Sequence, residues 1–124
     1  MIDTFAFQTT RSDGLRVLLT AREAFPALER AVLAAKREIW GSFRIFDPAT
    51  TLRSPEARAV GTTWFDLIRY TLARGVAIHM VISDFDPICW SAGHRDTWRA
   101  VRMFLAAAEL AGPGAKLTIT PAMH

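Results

Sequence analysis

Short apolar runs alternate with stretches of helical periodicity along this chain, and that alternation restricts the fold more than any single motif does. "LRVLLT" (15–20) suits a buried strand, after which Phe25, Leu28, Val32 and Ala35 recur at helical spacing, with Pro26 in the first turn where proline is tolerated. "EIWGSFRIF" (38–46) follows. It has Ile39, Phe43 and Ile45 on one side and Trp40, Ser42, Arg44 and Phe46 on the other, the pattern of a central strand covered on both faces. A proline-containing excursion (47–63) leads to a helix carrying Phe65, Ile68 and Leu72, which Gly75 ends. "VAIHMVIS" is the third strand, Trp98, Val101, Leu105 and Ala108 mark a third helix, and "KLTIT" is the fourth strand. The expected class is α/β in the order β-α-β-α-β-α-β. Its sheet is mostly parallel, with right-handed crossovers and helices on both faces.

The 124 residues make one domain with a real core, and 51% hydrophobic content argues against disorder. "PAMH" follows the last strand with no closing helix, which reads as the N-terminal fragment of a larger protein. The net charge of +3 favours anionic partners such as phosphate esters, nucleic acid or an acidic membrane surface. The single cysteine, Cys89, rules out an internal disulfide framework and fits a reducing compartment. The N-terminal stretch lacks a signal-peptide pattern, and no apolar run reaches the roughly 20 residues of a membrane span. The expected location is the cytoplasm, in solution or peripheral to the membrane.

Ligands of parallel sheets gather outside the C-terminal strand ends, which places Arg44, Asp47, Asp84 and Asp86 at the border of any site. A cation near the end of a strand buried on both faces needs an anion, and Asp47, Asp84 or Asp86 would serve Arg44. "SDFDP" resembles the haloacid-dehalogenase phosphatase signature, with Asp84 as nucleophile, Asp86 as general acid and Mg²⁺ as cofactor. That signature opens the first strand of its domain, whereas here it closes the third, and turns recruit carboxylates for conformation alone. "HRD" (94–96) lacks the asparagine that a kinase catalytic loop needs five residues on, where Val101 stands. His79, His94, His124 and Cys89 do not fall at metal-ligand intervals, so no metal is expected. Arg95, Arg99 and Arg102 share one narrow arc of a helix and are candidate anion-binding residues or a solvated face. The four tryptophans, spread one per element, read as core or subunit contacts, which leaves room for a homo-oligomer.

Taken in order, "AFPALERAVLAAKREIWGSFRIFDP" and "WFDLIRYTLARGVAIHMVISDFDP" resemble the opening half of a lobe of the phospholipase D superfamily, the group that includes cardiolipin synthases. The likeness is a helix ending in "AAKREI", a strand ending in aspartate-proline, a long loop, a helix, "RGV" and a strand ending in aspartate. It implies a phosphodiesterase or phosphatidyltransferase acting on phospholipid phosphodiesters through a histidine nucleophile, with no cofactor. The family's His-x-Lys-x4-Asp motif is missing: at His94 the Lys position is Asp96 and the Asp position is Val101, and His124 ends the sequence. No catalytic residue is therefore expected within these residues, and the nucleophile would come from the remainder of the protein. The other classes left open are the Asp84/Asp86 phosphatase and a non-catalytic α/β binding or assembly module.

Overall fold

The computed structural model of the chain describes residues 5–7, 16–18, 21–44, 46–84 and 91–123. Along the chain lie β1 (Phe5–Phe7), β2 (Arg16–Leu18), α1 (Ala21–Ala34), β3 (Glu38–Phe43), α2 (Pro55–Arg58), α3 (Trp64–Ala73), β4 (Ala77–Asp84), α4 (Ser91–Ala111) and β5 (Leu117–Met123). β3, β4 and β5 form a parallel sheet with β4 in the centre, so the class is α/β. Of the extended segment expected at 15–20, the described residues 16–18 do not join it. Residues 16–18 pair antiparallel with β1, a strand the periodicity did not reveal. A partner nearby in sequence costs less loop closure than a distant sheet edge.

One face of the parallel sheet carries the core. Ile78, Met80 and Ile82 of β4 pack with Ile68 and Leu72 of α3 and with Ala100, Phe104 and Ala107 of α4, joined by Ile39 and Phe43 from β3 and Leu117 and Ile119 from β5. A second cluster joins Val32, Leu28 and Leu33 of α1 to Leu52, Ala57, Trp64 and Leu67. The opposite face differs from the expectation of helices on both sides. Glu38, Trp40, Ser42, Val81, Thr118 and Thr120 are all exposed there, Trp40 at 73%. His79, half-buried on that face, stacks on Trp40 at a 4.1 Å centroid distance, its Nε2 3.5 Å from a Glu38 carboxylate oxygen. β3 is thus half-buried on one side and open on the other. Arg44, just past its last residue, is exposed and has no need of a buried counter-ion.

Two helices differ from the periodic reading. α1 starts at Ala21, which puts Pro26 inside it. α4 buries Gly93, Thr97, Ala100, Val101, Phe104 and Ala107, a stripe turned roughly 90° from the expected one, so Leu105 is 52% exposed. The small side chains at 97, 100 and 107 let the helix approach the sheet closely, and Phe104 fills the remaining volume. α3 ends as its sequence indicates. Gly75 takes φ +88°, its N–H donates to the Leu72 carbonyl at 3.0 Å, and the Val76 N–H donates to that of Thr71 at 3.3 Å.

Candidate functional site at the end of the central strand

β4 extends beyond the last β3 pairing, Phe43 with Ile82, so Ser83 and Asp84 stand at the C-terminal rim of the sheet. α4, the next described element, presents His94, Thr97 and Trp98 at i, i+3 and i+4, one side of its opening turns. The Thr97 hydroxyl donates to the Ser83 carbonyl at 2.8 Å, tying helix to strand. His94 Nδ1 lies 2.9 Å from Asp84 Oδ1, and the Trp98 indole N–H donates to Asp84 Oδ2 at 3.2 Å. The Asp84 side chain is only 8% exposed and that of His94 30%, so a buried carboxylate holds an imidazole that reaches solvent.

A carboxylate facing Nδ1 draws the imidazole proton to that nitrogen and leaves the basic lone pair on Nε2. It also fixes the ring plane. The pair can therefore supply an oriented base, an acid or a nucleophile. Each Asp84 oxygen meanwhile accepts from a different donor, the arrangement of a positioning carboxylate.

The other expected site residues lie elsewhere. Asp47 is exposed; its Oδ1 accepts the Ala49 N–H at 2.9 Å and its carbonyl accepts that of Thr50 at 3.0 Å, so it shapes the turn at Pro48. Arg95, Arg99 and Arg102 are exposed on α4, away from the residues that face β4. Asp86, Cys89, Trp90 and His124 lie outside the described residues. Among the described residues, no three or more His, Cys, Asp or Glu side chains gather as metal ligands would.

Sequence reasoning missed the pairing of His94 with Asp84, because it tested His94 only against longer motifs. The available signal was an aspartate closing an apolar strand, with His, Thr and Trp at 94, 97 and 98 early in the next helix. Using it requires the phase of α4, which the stripe through Trp98 and Leu105 misplaces. No protein-family model matches the chain, and no curated protein matches it significantly.

Proposed function

We propose that the chain is part of a phospholipase D-like α/β lobe that cleaves or exchanges phosphodiester bonds, and that Asp84 and His94 form the rim of its site. The observation that carries this reading is the 2.9 Å contact between a buried carboxylate and a partly exposed imidazole at the end of the central parallel strand. Phosphoryl transfer needs an oriented imidazole and hydrogen-bond donors fixed at the phosphoryl oxygens. His94 meets the first need in part, as a phosphate-facing acid–base group beside a nucleophilic histidine contributed by further polypeptide.

The bare sheet face fits the same reading. Parallel sheets are normally covered on both sides, so Trp40, Val81 and their neighbours suit a further layer supplied by the rest of the lobe. The aspartate-phosphatase alternative fits less well. A nucleophilic carboxylate needs an uncommitted oxygen, and those of Asp84 accept from His94 and Trp98.

Titrating the purified chain with bis(p-nitrophenyl) phosphate, while following the His94 imidazole by NMR, tests this reading. The expected result is a saturable shift of His94, unchanged by chelator, and an affinity, read from the adjacent Trp98 indole N–H, about tenfold weaker in His94→Gln. A His94 signal unmoved at millimolar diester would overturn it. So would magnesium-dependent phosphate release from a monoester that Asp84→Asn abolishes.

A further inference from the structure

We infer that the outer face of α4 is a docking surface for an anionic phospholipid bilayer. The helix has 21 residues, so it is roughly 30 Å long, and its solvent side is neither uniformly polar nor uniformly charged. Arg95, Arg99 and Arg102 are exposed along its N-terminal half, as far as its middle. Flanking them are Trp98, Leu105 and Leu110, which are 38%, 52% and 63% exposed. Large apolar side chains beside a cationic stripe are what an interfacial helix presents. The arginines reach the lipid phosphates while Leu and Trp enter the boundary between headgroups and acyl chains.

α3 packs beside α4 on the same side of the sheet and adds exposed Arg69. The exposed acids Asp96 and Glu109 of α4 are outnumbered by these cations. Charge complementarity therefore points to an acidic surface, and the leucines separate a bilayer from a purely polyanionic partner. No described helix is long and apolar enough to cross a membrane, so the contact lies on the bilayer rather than through it.

Trp98 links the surface to the site. Its indole N–H holds Asp84 while its ring remains partly exposed, so docking through α4 brings the strand-end rim to the level of the headgroups. The purpose assigned to the contact, though not the contact itself, rests on the phosphodiester reading above.

Co-sedimentation with vesicles of equal parts phosphatidylglycerol and phosphatidylcholine, against vesicles of pure phosphatidylcholine, tests the inference. Binding is expected only to the anionic vesicles and weakens as salt rises. Arg99→Glu/Arg102→Glu should weaken it on the order of 100-fold, and Leu105→Ser/Leu110→Ser about tenfold. All four positions are exposed, and circular dichroism checks that both variants keep the fold. Equal binding to neutral vesicles, or no binding to either, would overturn the inference. So would binding that an oligonucleotide abolishes and the leucine substitutions leave unchanged, which marks a nucleic-acid surface. The His94 titration with soluble diester is read separately. A normal titration without vesicle binding sinks this inference alone, and vesicle binding with an unmoved His94 sinks the phosphodiester reading alone.

Discussion

Asp84 is buried at the end of β4, with one oxygen near His94 Nδ1 and the other near the indole N–H of Trp98. Asp84→Asn preserves the shape but removes the charge: its oxygen accepts from Trp98 while its amide N–H faces His94 Nδ1, so the ring must move its proton to Nε2. Losing the charged acceptor costs about 1 kcal/mol. The urea midpoint should fall with the slope unchanged, and a midpoint equal to that of the parent would mean that the contacts are not made. At this scale the sequence was half legible. The aspartate stood out because an apolar run stops at it. His94 did not, because its role depends on which side of α4 faces the sheet. Thr97, Ala100 and Ala107 decide that by closeness of packing, a property that a count of large apolar residues overlooks.

At the scale of elements, the 47–63 excursion looked structureless and proves to be built. Glu29, fully buried on α1, accepts the Ser54 N–H at 2.6 Å and the Arg53 N–H at 2.9 and 3.0 Å, across 24 or 25 residues of chain. Ser54 then caps α2 by accepting the Ala57 N–H at 3.2 Å. Ser54, Pro55 and Glu56 carry the local signal of a helix start, but no local pattern announces that a carboxylate from a distant helix holds it, so that tie was illegible for a physical reason. The start of α3 is tied locally instead. Asp66 Oδ2 accepts the Thr62 and Thr63 N–H groups at 2.9 and 3.2 Å. Gly61 leaves room for that reach, since a Cβ there would lie 2.2 Å from the Asp66 Cβ. These two backbone hydrogen bonds hold the Asp66 carboxyl below its ordinary value of 3.8. A depressed folded-state pKa means that the stabilisation is fully present above that ordinary value and is lost as pH falls through the folded one. Stability measured by urea unfolding in Asp66→Asn should therefore fall below that of the parent at neutral pH, and the gap should close in acid. A gap independent of pH would contradict the capping account.

At the scale of the whole molecule, the alternation of runs correctly indicated parallel β3, β4 and β5 with helical crossovers, because each crossover is local in sequence. It did not reveal which faces are covered. β3 carries a bulky Trp40 on the side that proves open, and a large side chain looks the same in sequence whether a layer covers it or not. The fold's main consequence is to bring the end of β4 and the start of α4 together, and the functional reading depends on that juxtaposition. Nitrogen-15 NMR of the His94 imidazole in its neutral form tests it most directly. The proton should reside on Nδ1 in the folded chain. In Asp84→Ala and in urea, the ring should revert to the tautomer mixture of a solvent-exposed histidine. A folded chain with the proton on Nε2, or a tautomer indifferent to loss of the carboxylate, would contradict the account.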